Sequence, residues 1–138
     1  MRVLLVVYDN GSHLPLFPQG IAYLAAALRQ EKGVEVAIYN QDIHHYPEVH
    51  LTALLDRTYY DFVGLSFIGG YYQYRKALAI CAAIKNSKSR PTLILGGHGP
   101  AADPEYFIEK TGADVVVVGD GEDSIKDIIH GNFKQKQN

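Results

Sequence analysis

The sequence contains a single cysteine and no tryptophan, and the shortage of cysteine excludes several kinds of site. Cys81 is the only cysteine among 138 residues, so an internal disulfide is impossible. One thiolate is also too few for a zinc or iron–sulfur site built from cysteine ligands within this chain. Cys81 falls on the apolar face of its predicted helix, which indicates an inert core residue.

Long hydrophobic runs and an excess of either charge are also lacking. The apolar run at residues 3–7 is broken by Asp9 and is too short for a signal peptide or a membrane span. We therefore expect a cytoplasmic protein with no membrane partner. Lys and Arg number 13 against 15 Asp and Glu, a formal net charge of -2. Nucleic-acid binding requires a basic face, so no nucleic-acid partner is expected. Nothing in the composition defines an oligomeric state.

Five short apolar runs predict buried strands. They are rich in Val, Ile or Leu, and most are continuous rather than alternating, which is typical of strands covered on both faces. The runs are residues 3–8 (VLLVVY), 34–39 (VEVAIY), 62–67 (FVGLSF), 92–95 (TLIL) and 115–118 (VVVV).

Segments of helical period separate these runs. The first carries apolar residues at Ile21, Leu24, Ala25 and Leu28, and the third at Ala77, Ile80, Cys81 and Ile84. Residues 49–57 predict a weaker helix. Asp103 is an N-cap before Pro104, and a last helix begins near Asp123. The alternation predicts one doubly wound α/β domain over residues 1–130, with residues 131–138 (GNFKQKQN) as a polar tail or the start of a linker.

Glycine is concentrated in the turns that follow four of the strands. Nine of the 13 glycines lie there, at positions 11, 20, 69, 70, 96, 97, 99, 119 and 121. Ligands of open parallel sheets bind beyond the carboxyl ends of the strands, and glycine lets backbone groups approach a ligand closely. The alternative is that these turns need glycine for backbone reasons alone.

Familiar phosphate-binding motifs are missing from these turns. Residues 9–20 (DNGSHLPLFPQG) contain neither GxGxxG nor a Walker motif. Ser66 lies at the end of the third predicted strand, where a phosphate-accepting receiver domain needs an acidic residue. These absences favour a large ligand held by backbone groups and apolar contacts over a phosphate-anchored one.

Five segments carry motifs that are individually weak and together fairly specific. They are residues 18–26 (PQGIAYLAA), 61–66 (DFVGLS), 95–100 (LGGHGP), 103–105 (DPE) and 114–122 (DVVVVGDGE). Together they resemble the cobalamin (B12)-binding domain found at the N-terminus of B12-dependent radical SAM enzymes. The resemblance covers roughly residues 1–126.

This resemblance implies a flavodoxin-like (Rossmann-like) three-layer sandwich whose five-stranded parallel sheet has the order 2-1-3-4-5. It implies cobalamin as the cofactor, with the corrin across the strand ends and the nucleotide tail in a groove beside the sheet. The cofactor-binding residues it implies are Asp9, His13, Pro18, Gly20, Ser66, Phe67, Ile68, Gly69, Gly96, Gly97, His98, Gly119, Asp120, Gly121 and Glu122.

The chain departs from other cobalamin domains in its histidines. Methionine synthase and mutase domains carry D-x-H-x-x-G after the first strand, and the histidine ligates cobalt. Here residues 42–47 (DIHHYP) share D-x-H, but they follow the second run and have Pro47 in place of Gly. His13 lies in the relevant loop at a different spacing. We therefore expect no protein ligand to the metal, with the lower face of the corrin covered by residues such as Phe67, Ile68 or Tyr71.

The catalytic half of such enzymes is absent from this sequence. A radical SAM domain needs C-x-x-x-C-x-x-C for the [4Fe-4S] cluster that cleaves S-adenosylmethionine, and only Cys81 is present. The resemblance therefore implies at most the cofactor module of a methyltransferase or cyclase, as a fragment or a free-standing relative, with the catalytic domain as its partner in the same or a separate chain. Asp120 and Glu122 form no obvious acid–base pair, and no catalytic residue is expected here.

Two other groups of residues have alternative interpretations. Asp42, His44, His45 and His50 are close in sequence, but adjacent histidines rarely share a metal ion, and solvated loop histidines are the simpler reading. Tyr59, Tyr60, Tyr71, Tyr72 and Tyr74 are either ordinary packing residues or a docking surface. Two functions therefore remain beside the cobalamin module: a flavodoxin-like domain for another small ligand, and a protein-interaction domain, neither of which binds B12.

Overall fold

The fold is described from a computed structural model, which describes residues 1–131. The predicted tail at 131–138 lies outside this part of the chain except for Gly131. Five strands and seven helices follow one another along the described residues: β1 (Arg2–Val7), α1 (Gln19–Arg29), β2 (Glu35–Asn40), α2 (Gln41–His44), α3 (Glu48–Arg57), β3 (Phe62–Ser66), α4 (Tyr71–Lys85), β4 (Thr92–Gly96), α5 (His98–Ala101), α6 (Pro104–Thr111), β5 (Val115–Val116) and α7 (Gly121–Ile129).

The strands form one parallel sheet in the order β2-β1-β3-β4-β5, which confirms the predicted flavodoxin-like topology. The central strands are in register, so that Leu5 of β1 lies opposite Gly64 of β3, which lies opposite Ile94 of β4. Because all five strands run the same way, their carboxyl ends meet at one edge of the sheet. We call this the carboxyl edge.

Alternate residues of each strand enter two separate cores, since successive side chains of a strand point to opposite faces. On one face, Leu4 and Leu93 pack with side chains of α3, α4 and α6. On the other face, Leu5 and Ile94 pack with side chains of α1 and α7. Cys81 is fully buried in the first core, as its position on the apolar face of α4 predicts. The sheet is therefore the middle of three layers.

Several boundaries differ from the sequence-based expectations. Only Val115 and Val116 of the four-valine run pair with β4, and Val118 is exposed. The short helices α2 and α5 were not predicted, because a single helical turn carries no recognisable period. Helix α6 begins with Asp103 accepting a hydrogen bond from the Tyr106 backbone N–H, as expected. Within the described residues, no helix combines the length and apolar character needed to cross a membrane.

Candidate functional site

A groove of about 210 Å³ opens near the carboxyl edge, on the face of the sheet that carries α1 and α7. Helix α1 lines it with Ile21 and Leu24, and helix α7 lines it with Ile125. The sheet contributes residues of β1, β3 and β4. Apolar side chains therefore form most of its surface, which suits the binding of an apolar group.

Gly64 lines the sheet side of this groove and lets the Leu5 side chain pack closely over β3. It lies in the middle of β3, and a Cβ atom there would be 3.0 Å from Leu5 Cδ2. Sequence analysis did not select Gly64, although a glycine inside a buried strand commonly marks a close approach by a ligand or another chain segment. That signal was present in the third apolar run.

The glycines of the carboxyl edge fall into two kinds. At Gly20, Gly96 and Gly119 a Cβ atom would meet nothing within 4 Å, so these positions leave open space beside the groove. Gly97 and Gly99 instead permit tight packing, because a Cβ on either would lie within 3 Å of Phe67 atoms. The backbone explanation therefore holds at Gly97 and Gly99, and the approach of a ligand at the open positions stays a prediction.

Eight of the fifteen predicted site residues line the groove. They come from the start of α1, the ends of β3 and β4, the turn before α7 and the first residues of α7: Gly20, Ser66, Gly96, Gly97, Gly119, Asp120, Gly121 and Glu122. Their charged members are both acidic. The structure thus brings together residues that are as much as 102 positions apart in the sequence.

The other seven predicted residues lie outside the groove lining. Ile68 and Gly69 are exposed in the turn after β3, and His98 is exposed at the start of α5. Phe67 is buried against Phe107, with ring centroids 5.6 Å apart. The remaining three, His13, Pro18 and Asp9, belong to the loop between β1 and α1, where His13 is exposed and Pro18 is the N-cap of α1. A contact of these residues with a ligand stays a prediction.

Asp9 connects its own loop to the segment after β2. Its Oδ2 lies 2.7 Å from His45 Nδ1, its Oδ1 accepts a hydrogen bond from the Gly11 N–H, and its carbonyl accepts one from the Tyr72 hydroxyl. Burial alone raises the pKa of Asp9, but the hydrogen bonds from His45 and Gly11 outweigh it and lower the pKa. Asp9 is therefore a carboxylate that holds the loop.

Asp42 stabilises the same loop from a more buried position. Its side chain is almost fully buried and accepts hydrogen bonds from the Asn10 N–H at 2.8 Å, from Asn10 Nδ2 at 3.1 Å and from the Leu16 N–H at 2.9 Å. The aspartate of the D-x-H sequence thus has a structural task in this chain. Sequence analysis missed it because the loop it binds is 26 or more positions away.

The nearby histidines form an aromatic cluster. Tyr46 stacks between His44, at 5.1 Å, and His50, at 3.9 Å between ring centroids. His50 differs from the expected solvated loop histidine, because it lies in α3 and its Nδ1 is 2.8 Å from the Tyr39 hydroxyl oxygen. No group of three His, Cys, Asp or Glu among residues 1–131 has an arrangement suited to a metal ion.

The predicted tyrosine belt is divided between core and surface. Tyr60 is 6% exposed, whereas Tyr71 is 75% exposed at the start of α4. Tyr74 and Tyr106 join α4 to α6 through their hydroxyl groups, 2.6 Å apart. The five residues therefore do not form one continuous surface.

Comparison with solved structures shows the same fold in proteins that bind cobalamin. A cobalamin-binding protein from Desulfitobacterium hafniense has a TM-score of 0.69 at 19% identity, over 96% of this chain and 59% of that one. The radical S-adenosylmethionine methyltransferase TsrM from Kitasatospora setae has a TM-score of 0.73 at 21% identity, over 96% and 26%.

The cobalamin-dependent S-adenosylmethionine radical enzyme OxsB, in a structure with aqua-cobalamin bound, has a TM-score of 0.70 at 20% identity, over 97% of this chain and 19% of that one. This chain thus spans between about a fifth and three fifths of the length of these three proteins. No curated protein matches the sequence significantly. A family model described as the B12 binding domain matches residues 7–129. The chain belongs to the B12-binding domain family.

Proposed function

We propose that this domain binds cobalamin and serves as the cofactor module of a B12-dependent radical SAM methyltransferase or cyclase. The observation that carries the proposal is the apolar groove between the sheet, α1 and α7, which opens at a glycine-rich carboxyl edge in a chain of this family. When bound, cobalamin supplies a cobalt centre able to carry and transfer a methyl group.

The residues present fit such a ligand. The groove would hold the nucleotide tail, because its lining is mostly apolar, with Leu5, Gly64 and Ile94 on the sheet side. The open positions at Gly20, Gly96 and Gly119 would expose backbone groups to the amide arms of the corrin. The Ser66 hydroxyl lies at the end of β3 and would add a polar contact at the edge.

We propose further that no protein histidine ligates the cobalt. Asp42 of the D-x-H sequence is fully engaged with the β1–α1 loop, and His44 stacks on Tyr46. The Nδ1 atom of His45 is hydrogen-bonded to the carboxylate of Asp9. These contacts support a domain in which the D-x-H residues stabilise the loop instead of supplying a metal ligand.

The catalytic step would belong to another domain. S-adenosylmethionine and a [4Fe-4S] cluster occur with this fold in larger proteins, and the single cysteine of this chain is too few for the cluster. We therefore propose that a radical SAM domain, in the same or a separate chain, is the partner of the carboxyl edge.

Titration of the purified protein with hydroxocobalamin, followed by desalting and visible absorption, tests the proposal. We expect retained cobalamin with the spectrum of a cofactor that has no nitrogen ligand from the protein, unchanged in His13→Ala and His98→Ala. A nitrogen-ligated spectrum that either substitution abolishes would overturn the ligand-free assignment. No retention by a folded protein would overturn the binding proposal.

A matched pair of variants locates the site. Gly96 follows Ile94 by two residues in β4, so its side chain position faces the groove, and Gly96→Leu should fill that space and reduce retention at least tenfold. Ala26→Leu adds the same side chain to an exposed position of α1 away from the groove and should leave retention unchanged. Equal retention by both variants would place the ligand elsewhere.

A further inference from the structure

The inner end of the groove differs chemically from its opening. Leu5, Gly64 and Ile94 are neighbours in one row of the sheet, and all three line the groove. Ser66 and Gly96 lie two residues further along their strands. At 3.3 Å per residue the groove therefore reaches about 7 Å inward from the carboxyl edge. This depth matches the length of a fused two-ring heterocycle.

No polar side chain lines this inner end. Leu24 of α1 and Ile125 of α7 face the row of sheet residues, and Gly121 packs against Leu24, because a Cβ there would lie 3.1 Å from Leu24 Cδ2. The polar lining residues come from the opening: Ser66 from the end of β3, Asp120 from the N-cap of α7 and Glu122 from its first turn. Polarity is thus confined to the outer part of the groove.

Free hydrogen-bonding groups are also lacking at the inner end. Strand β3 pairs with β1 on one side and β4 on the other, so the backbone groups around Gly64 are used within the sheet. Across residues 1–131, every buried side-chain nitrogen or oxygen has a hydrogen-bond partner. A polar group inserted here would lose its bonds to water and gain none.

We propose that the inner groove selects the heterocycle of the nucleotide tail and favours an alkylated benzimidazole over a purine. This inference rests on the proposed cobalamin binding and adds a preference among cobamides. The two methyl groups of dimethylbenzimidazole would pack on apolar side chains such as Leu24 and Ile125. Adenine would instead bury an amino group and additional ring nitrogens without partners, which should weaken binding at least tenfold.

Three cobamides test the inference on the same purified protein. We expect cobalamin to bind most tightly, and adeninylcobamide to bind at least tenfold more weakly. Cobinamide, which lacks the nucleotide tail, should also bind more weakly than cobalamin. Equal affinity for cobalamin and adeninylcobamide would overturn the preference while leaving the binding proposal intact. Equal affinity for cobalamin and cobinamide would overturn the placement of the tail in the groove. Failure of all three to bind would contradict the proposed function itself.

A substitution at the inner groove gives a second, independent test. Leu24→Asn supplies a donor and an acceptor to the heterocycle and should reduce the preference for cobalamin over adeninylcobamide at least threefold. Ala26→Asn places the same amide on the exposed face of α1 and should leave the preference unchanged. An unaltered cobinamide affinity shows that each variant is folded. An unchanged preference in a folded Leu24→Asn protein would contradict the assignment of Leu24.

Discussion

Substitution of Asp42 by Asn should detach the β1–α1 loop at a measurable cost in stability. The carboxylate accepts three hydrogen bonds from Asn10 and Leu16. An amide keeps one acceptor oxygen, which at the Oδ2 position retains the bonds from Asn10 Nδ2 and the Leu16 N–H, while the new NH₂ group faces the Asn10 N–H. Loss of that one bond to a charged acceptor corresponds to about 2–3 kcal/mol in the free energy of unfolding. For a domain of this size, that lowers Tm by about 10 °C.

Urea unfolding followed by circular dichroism measures this loss, and hydrogen exchange at the Asn10 amide locates it. Asp103→Ala is the control. The Asp103 side chain accepts a single capping bond, from the Tyr106 N–H at 3.2 Å, and its removal should cost about 1 kcal/mol in the free energy of unfolding. Its effect should leave exchange at the Asn10 amide unchanged. A loss below about 0.5 kcal/mol in Asp42→Asn, or wild-type exchange at Asn10, would refute the structural role of the carboxylate.

Three further predictions concern other parts of the molecule. Burial raises the pKa of the Cys81 thiol to about 12 from 9.0, so at pH 8 native protein should react with iodoacetamide about a thousandfold more slowly than unfolded protein; a difference under tenfold would contradict this. Gly97→Ala should destabilise by about 2 kcal/mol or more in urea unfolding, because φ is +93° and the Cβ would lie 2.5 Å from a neighbouring backbone oxygen. Gly33→Ala has a positive φ but open space and should cost about 1 kcal/mol, so equal losses would disprove the clash. Burial raises the pKa of Glu48, but the hydrogen bond from Lys76 at 2.6 Å outweighs it and lowers the pKa below 4.5. The stability it contributes is therefore present above pH 4.5 and lost as pH falls through the lowered value. Lys76→Met should cost about 0.5–1 kcal/mol at pH 7 and less at pH 3, and a loss independent of pH would contradict the pairing.

The sheet was predictable because its strands are buried on both faces. Continuous apolar runs and intervening helical periods located all five strands, and the family resemblance supplied their order, which the structure confirms. The end of β5 was less predictable, since four valines in a row do not show where pairing with β4 stops. That limit depends on the length of β4 and on the turn at Gly119.

Sequence analysis predicted the residues at the opening of the groove and missed those that line its inner end. Glycines and polar residues after the strands pointed to the carboxyl edge, and eight of them line the groove. Gly64, Leu24 and Ile125 were read only as strand or helix residues, because a lining role depends on how α1 and α7 sit on the sheet. Asp42 was misjudged for the same reason, since its partners belong to a distant loop.

The separation of the two cores has a consequence for how the molecule can open. Helix α7 packs chiefly against α1, and these two helices form the helical wall of the groove. The opposite layer, with α3, α4 and α6, has its own buried cluster around Leu55 and Ile80, which contains no residue of α7. Outward movement of α7 would widen the groove and leave that second cluster intact. The layer with α1 and α7 can therefore admit a bulky ligand while the core of the layer with α3, α4 and α6 preserves the fold.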